Sequence, residues 1–428
     1  MSRSRLASFV TGLSIVIVLG GCVSGPAPSD PAETSAVAST EPLPWSSVPS
    51  LAPSVAPAQS SLLPSPSIAS AAPSIGAVST CVDRTLAALT EAQRIGQLFA
   101  VGLANDRLDA TSRQLIIANR FGSVWYRETT TIGVAGVRRV ADAAQALATE
   151  AVTGRVRFFV AANQEGGRIQ ALAGSGFDTI PSAVDQGAML PATLETRATA
   201  WGTQLAAAGV NLDFAPVADV VPVGTERRNA PIGQLQREFG SDPGGVGSRV
   251  AAFVRGMRAA GVATTAKHFP GLGRVAGNTD FTGAVIDTVT TPQDPYLTPF
   301  NRALSVHVPF VMVSLATYDR IDADHLAAFS PTVIETVLRG ELGFRGVVMS
   351  DSLTATAVAD IDPGQRAIDF IAAGGDMIVL GPIDVAVPMV AALAQRAAAD
   401  AVFHARIDES ARRILTAKDA SGLLPCSG

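Results

Sequence analysis

Between Cys81 and Cys426 the sequence alternates short apolar runs, rich in β-branched residues, with longer amphipathic stretches. We predict eight strands, at Gln97–Leu103, Gly122–Tyr126, Val156–Ala162, Val210–Ala215, Val262–Lys267, Phe310–Leu315, Gly346–Ser350 and Asp376–Leu380. The helical patterns between them are Val134–Val152, Leu194–Ala208, Gly245–Ala260, Pro331–Leu342, Gln365–Ala373 and Pro388–Ala399, followed by a last one from about Asp408 to Lys418. This alternation predicts an α/β fold, a single (β/α)8 barrel of the TIM type with enlarged loops. A doubly wound open sheet is the alternative, but Val101–Ala104 does not match the glycine-rich fingerprint expected after its first strand.

Residues 1–21 are predicted to be a signal peptide. Arg3 and Arg5 precede an apolar run, Leu13–Leu19, that is too short to span a bilayer. The junction that ends in Cys22 resembles the lipobox of bacterial lipoproteins, in which the cysteine becomes the acylated first residue of the mature chain. We therefore expect an exported protein anchored to the outer face of the cell membrane by lipidated Cys22. An ordinary cleaved signal with an incidental cysteine is the alternative.

Residues 22–80 are predicted to be a disordered linker. The segment is dominated by Pro, Ser and Ala, contains no Lys or Arg, and shows no sustained apolar period with which to form a core. The folded domain is then residues 81–428, bracketed by Cys81 and Cys426. Export to an oxidising compartment favours a disulfide between these two cysteines, with two free thiols as the alternative.

Charge and cysteine usage exclude several classes of function. The formal net charge is -5, so a polyanionic nucleic acid is not an expected partner. The three cysteines form no CxxC or Cys/His cluster with zinc-ligand spacing, and we predict no metal and no cofactor.

In a barrel, chemistry is carried out at the carboxyl ends of the strands, and polar residues follow several of the predicted strands. They are Asn163, Gln164, Glu165 and Arg168 after the third strand, Asp213 and Asp219 after the fourth, Lys267 and His268 after the fifth, and Asp351 after the seventh. Arg237 lies in the connection after the fourth strand, and Asp280 lies in the loop after the fifth. Only 16% of the chain is charged, so polar groups that interrupt apolar runs here predict a site for a polar substrate.

Five segments carry a resemblance to a known family. They are Asn163–Arg168 (NQEGGR), Asn211–Asp219 (NLDFAPVAD), Arg237–Gly240 (REFG), Lys267–Gly271 (KHFPG) and Ser350–Leu353 (SDSL). In this order and spacing they resemble the barrel of glycoside hydrolase family 3, and within it the single-domain β-N-acetylglucosaminidases. The resemblance extends over nearly all of residues 84–420. It implies one catalytic domain that acts on a carbohydrate.

The resemblance also implies a role for individual residues. The family works with retention of anomeric configuration, and its nucleophile corresponds to Asp351. Lys267, His268 and Arg237 correspond to residues that bind the sugar hydroxyls, as does Asn163, although the family has an aspartate there. Ala171 stands where relatives often have a second arginine. Read from the residues alone, Asp351 could instead cap a helix that begins at Leu353, and His268 could be a buried core histidine.

The acid/base residue departs from the family pattern. The N-acetylglucosaminidases have Asp-Ser-His in the loop after the fifth strand, and the aligned residues here are Asn278, Thr279 and Asp280. Asp280 takes the place of the histidine, and a carboxylic acid is the usual proton donor of glycosidases. We expect the negative charge of Asp351 to raise the pKa of Asp280. The alternative is that Asp280 is a solvated loop residue.

The sequence as a whole predicts an exported retaining exo-glycosidase that removes terminal β-linked N-acetylglucosamine from cell-wall or peptidoglycan fragments. Two alternatives remain open. One is a catalytically weakened sugar-binding lipoprotein, and the other is a β-glucosidase or β-xylosidase of the same family, because Asn163 and Ala171 alter the pocket. Hydrolysis and phosphorolysis are not distinguished.

Overall fold

The computed structural model describes residues 80–103 and 107–426. The predicted signal peptide, Cys22 and all of the predicted linker except Thr80 lie outside the described residues. Thr80 already belongs to the fold, since its hydroxyl accepts the Asp83 N–H at 3.1 Å and caps the first helix.

Eight parallel strands form the central sheet, at Phe99–Leu103, Ser123–Tyr126, Phe159–Ala162, Leu212–Asp213, Ala263–Phe269, Phe310–Val313, Val347–Ser350 and Ile378–Leu380. Strands adjacent in sequence pair with each other from the first to the seventh, and the eighth pairs with the first through Phe99 and Ile378. A bridge between Met349 and Met377 joins the seventh strand to the eighth. The prediction of a (β/α)8 barrel is therefore confirmed, and the open sheet is excluded.

The helices surround this sheet. The α-helices are Cys81–Ala88, Glu91–Gln97, Ala110–Asn119, Gly133–Gln145, Glu150–Thr153, Ala183–Gly187, Pro191–Ala207, Pro243–Ala259, Thr298–Ser305, Pro363–Ala372, Ala386–Ala399 and Ala401–Ala420, and Thr332–Glu341 is a π-helix. Short 3₁₀ turns lie at Glu226–Arg228, Gly233–Leu235, Pro295–Leu297, Ala327–Phe329, Thr356–Val358 and Ile383–Val385. In the described chain no helix is long and apolar enough to cross a bilayer.

Two small sheets lie in the enlarged loops. Gln164–Gly166 pairs with Ile169–Gln170 after the third strand, and Thr317–Tyr318 pairs with both Ile286–Asp287 and Asp322–Leu326. The enlarged loops therefore have hydrogen-bonded structure of their own.

Lys418 closes the amino end of the barrel. Its Nζ donates to Gln97 Oε1 at 2.7 Å and to the Gly122 carbonyl at 2.8 Å, and it lies 5.6 Å from the centre of the Phe159 ring. Burial holds the pKa of this amine well below its ordinary value. Since Gln97, Gly122 and Phe159 precede or begin strands, this end is filled with side chains, as in other barrels of this architecture.

The two ends of the described domain are joined covalently. Cys81 and Cys426 form a disulfide with their Cα atoms 5.9 Å apart, which ties the first helix to the segment after the last. Of the two arrangements that the sequence left open, the structure therefore contains the bridge.

Candidate active site

A pocket of about 360 Å³ opens at the carboxyl end of the barrel. Its polar lining includes all six residues predicted to act in catalysis or sugar binding, namely Asn163, Arg237, Lys267, His268, Asp280 and Asp351. A larger cleft of about 550 Å³ lies around His307 and Phe344, but no carboxylate is among the described residues that line it. The barrel mouth is therefore the candidate active site.

Glu165 is the centre of the charged network under this pocket. The Arg237 guanidinium donates to both of its carboxylate oxygens at 2.8 Å, and Lys267 Nζ lies 2.6 Å from Oε1. Burial would raise the pKa of Glu165, but Arg237 and Lys267 together hold it at about 2. Glu165 is therefore ionised, and it fixes the position of both cations.

Asn163 and Lys267 are tied to each other. Lys267 Nζ donates to Asn163 Oδ1 at 2.8 Å, so the amide oxygen already has a partner before any sugar binds. An aspartate at this position would add a second negative charge beside Glu165. The substitution therefore leaves Lys267 shared between one carboxylate and one neutral acceptor.

His268 is held by Asp219 on one side and Arg237 on the other. Asp219 Oδ2 lies 2.7 Å from His268 Nδ1, and Asp219 Oδ1 accepts the His268 backbone N–H at 3.1 Å. Nε2 faces Arg237 Nη2 at 3.3 Å. A guanidinium can only donate, so this network assigns the proton to Nδ1 and makes Nε2 an acceptor. His268 lines the pocket, but it has no free proton to give to a leaving group.

Asp351 follows the seventh strand directly and faces the pocket. Its Oδ1 accepts the Ser352 N–H at 2.7 Å. No helix begins at Leu353 in this part of the described chain, so Asp351 does not act as a helix cap. Burial alone would lower the pKa of Arg237, but the Glu165, Asp219 and Asp351 carboxylates raise it above its ordinary value. Arg237 therefore remains cationic beside Asp351.

Asp280 is exposed at the mouth of the same pocket. Its pKa is raised, first by partial removal of water where the carboxyl lines the pocket and second by the negative charge of Asp351, while Arg237 and Lys267 oppose the shift. The shift has the direction that the sequence predicts. A carboxyl that keeps its proton beside an ionised carboxylate can act as an acid.

Two buried carboxyls of this region, Glu165 and Asp213, had no role predicted from the sequence. Asp213 Oδ1 accepts the Gln164 N–H at 3.0 Å, whereas its buried Oδ2 has no partner within the described residues. Burial raises the pKa of Asp213 to about 7, and the Glu165 charge acts in the same direction. Both residues lie at the ends of predicted strands, and this position was the only feature of the sequence that could have pointed to them.

One residue predicted at the barrel mouth, Arg168, lies outside the pocket, whereas the pocket has an apolar wall that was not predicted. Arg168 is exposed and its Nη1 donates to the Gln234 carbonyl at 3.4 Å, outside the pocket lining. Trp125 and Phe214, whose rings lie 5.7 Å apart, form an apolar wall that the sequence analysis did not identify. Within the described ranges no three His, Cys, Asp or Glu side chains are grouped so that they could hold a metal ion.

Comparison with known proteins gives consistent findings. The family model described as "Glycosyl hydrolase family 3 N terminal domain" matches residues 90–417. A β-hexosaminidase from Alkalilimnicola ehrlichii is 34% identical over 307 residues, which cover 68% of this chain and 82% of the relative. A β-hexosaminidase from Stenotrophomonas maltophilia is 33% identical over 282 residues, 61% of this chain and 76% of the relative.

Solved structures agree with these sequence matches. The crystal structure of a β-N-acetylhexosaminidase from Beutenbergia cavernae superposes with a TM-score of 0.76 and 45% identity, over 77% of this chain and 98% of that chain. A family 3 β-N-acetylglucosaminidase from Paenibacillus gives a TM-score of 0.70 and 28% identity, over 78% of this chain and 63% of that chain.

Proposed function

Because the chain belongs to glycosyl hydrolase family 3 and is a β-N-acetylhexosaminidase-like hydrolase, we propose that it removes terminal β-linked N-acetylglucosamine with retention of configuration. The observation that carries the proposal is the pairing of Asp351 and Asp280 in one pocket, where burial and then the charge of Asp351 raise the pKa of Asp280. Retaining glycosidases need such a pair, one carboxylate ionised and one carboxyl protonated.

The polar end of the pocket would bind the terminal sugar. Lys267 is 2% exposed and Arg237 is 13% exposed, and Glu165 fixes both before substrate arrives. Groups that are already oriented lose little entropy on binding, so their hydrogen bonds to sugar hydroxyls are gained at low cost. A closed inner end of this kind accepts a chain terminus, which fits an exo-acting enzyme.

The chemistry proceeds in two displacements. The Asp351 carboxylate attacks the anomeric carbon, the glycosidic bond breaks, and the leaving oxygen takes the Asp280 proton. Asp280, now a carboxylate, removes a proton from water, which attacks the same carbon and releases Asp351. His268 takes no part in proton transfer, because Arg237 occupies its Nε2.

The preferred sugar can be tested by assaying the full chain on 4-nitrophenyl β-glycosides of N-acetylglucosamine, glucose and xylose. We expect the N-acetylglucosamine derivative to be turned over best, with the β-anomer of the sugar appearing first in the NMR spectrum. Preference for glucose or xylose would replace the proposed substrate, and the α-anomer as first product would exclude retention. Binding of N-acetylglucosamine without turnover of any glycoside would establish a sugar-binding protein instead.

We also propose that the substrate is a cell-wall or peptidoglycan fragment and that lipidated Cys22 holds the protein at the outer face of the cell membrane. The support is the signal-like sequence of residues 1–21 and the small residues before Cys22. Cys22→Ala should release the protein from the membrane fraction of a lipoprotein-processing host without changing activity. Retention of this variant in the membrane would show that Cys22 is not the anchor.

A further inference from the structure

We propose that Phe281 is the platform on which the leaving group stacks, so that the pocket has an aromatic aglycone subsite just outside the bond that is cleaved. This inference rests on the proposed function, because it takes Asp280 as the acid. It adds a residue to which neither the family motifs nor the predicted site assign a role.

Phe281 is 80% exposed, yet it belongs to the lining of the candidate active site. An isolated exposed apolar side chain is common on any protein surface and needs no explanation of its own. What distinguishes Phe281 is its position at the rim of the pocket, next in sequence to Asp280.

Burial along the pocket gives the direction in which a substrate lies. Lys267 and His268 are buried, Asp351 is half-buried, and Asp280 and Phe281 are both exposed, Phe281 at 80%. The terminal sugar fits the inner, hydrogen-bonding end and the reacting bond lies between Asp351 and Asp280. The part that leaves must then extend outward, past Phe281.

The acid restricts this geometry further. Asp280 can donate its proton only to the oxygen that joins the sugar to its leaving group, so that group must lie within reach of residue 280. The Phe281 N–H donates to the Asn278 carbonyl at 3.0 Å, and the Asp280 carbonyl accepts from Thr356. The backbone that carries the ring is therefore fixed against the loop that follows Asp351.

The chemistry of the Phe281 ring determines which leaving groups it would bind. A phenyl group offers no hydrogen bond, but it can bury the apolar C–H face of a pyranose or stack on an aryl ring. We therefore infer a preference for a second sugar or an aryl group as the aglycone, over a methyl group, without selection among hydroxyl patterns.

Steady-state kinetics on two substrates test the platform. Phe281→Ala should lower kcat/KM for N,N′-diacetylchitobiose about 5- to 20-fold and change that for methyl β-N-acetylglucosaminide less than about 2-fold, since the methyl group buries little of the ring. Phe281→Tyr keeps the ring and should restore the disaccharide rate. Val402→Ala, which removes a side chain that is 82% exposed and lies outside the pocket lining, is the matched control.

A binding measurement separates failure of the platform from failure of the proposed function. The full chain should bind the non-hydrolysable thio-linked disaccharide at least about 5-fold more tightly than N-acetylglucosamine, and Phe281→Ala should remove that margin, whether or not turnover occurs. If the wild type hydrolyses neither substrate, the proposed function fails and the binding result decides the platform. Three results would overturn the platform. They are an equal loss of kcat/KM on both substrates in Phe281→Ala, no loss on either, or wild-type binding of the disaccharide that is no tighter than binding of N-acetylglucosamine.

Discussion

Thr356 donates two hydrogen bonds to the carbonyl oxygen of Asp280, from its backbone N–H at 3.3 Å and from its hydroxyl at 2.8 Å. Thr356 begins the short turn after the seventh strand, and Asp280 lies in the loop after the fifth. The loop that carries the proposed acid is therefore joined to the loop that follows the proposed nucleophile, and the Ala357 N–H adds a third hydrogen bond between them, to the Thr279 carbonyl at 3.0 Å.

Thr356→Val removes the hydroxyl but keeps the backbone donor. The loss of one hydrogen bond, worth about 1 kcal/mol, should reduce kcat on N,N′-diacetylchitobiose about 3- to 10-fold. Activated aryl glycosides should be affected less, because their aryl leaving group departs without needing a proton from Asp280. Thr356→Ser should recover the wild-type rate. Identical losses on both substrate classes would show that Thr356 has only a structural role.

Asp351→Asn should abolish turnover and leave the fold intact, because an amide cannot form the glycosyl-enzyme. We expect a loss of about 10⁴-fold or more in kcat, measured on an activated aryl glycoside, with an unchanged thermal midpoint as the control. Retention of more than a few per cent of wild-type activity in a clean preparation would contradict the assignment of Asp351.

Asp280→Ala should impair substrates with poor leaving groups while sparing the first step on activated aryl glycosides. The second step should become slow, because no base remains to activate water. Added azide attacks without a base, so it should accelerate turnover and yield the β-glycosyl azide. If both substrate classes lose activity equally and azide has no effect, Asp280 is assigned to binding or structure.

Asp213→Asn tests the buried carboxyl near Lys267 through the pH dependence of stability. The folded pKa is about 7 and the ordinary value is 3.8, so between these limits the folded protein keeps a proton that the unfolded chain has lost. The unfolding free energy of the wild type should therefore fall as pH rises through this window, by at most about 1.4 kcal/mol per pH unit.

In Asp213→Asn the amide does not titrate in either the folded or the unfolded state, so this position adds no pH dependence to the stability of the variant. Its stability relative to the wild type should increase from pH 5 to pH 7, as measured by urea unfolding of both full-length chains. Parallel curves for the two proteins across this range would show that Asp213 titrates at its ordinary pKa.

The strands were predictable because both faces of a parallel barrel strand are buried, which leaves an apolar run with clear ends. Five α-helices of the described chain were not predicted, and one of them, Ala110–Asn119, buries only Ser112 and Ile116 and so shows little periodicity. The predicted helix Val134–Val152 is divided, since Thr149 caps a separate turn at Glu150–Thr153. The first helix ends at Gln145 with Ala146 as its cap, and the polar Thr149 then begins a new helical turn.

The site was only partly predictable, because its polar residues could be collected from strand ends but their partners could not. Glu165 and Arg237 are 72 residues apart in sequence, and only the closure of the barrel brings them into contact. The same holds for the wall formed by Trp125 and Phe214. The roles of Asp351, Asp280, Asn163, Arg237, Lys267 and His268 stay predictions until the variants are measured.

The sequence contains two lysines, and the barrel buries both. Lys267 lines the floor of the pocket with its side chain only 2% exposed, and Lys418 lies fully buried at the opposite end, so the positive charge on the outside of the described domain comes from arginine. Reagents that acylate primary amines should therefore find no lysine to modify on the native barrel. Labelling of Lys267 without Lys418, resolved by mass spectrometry in mild denaturant, would reveal opening at the pocket end, and the reverse pattern would reveal opening at the closed end.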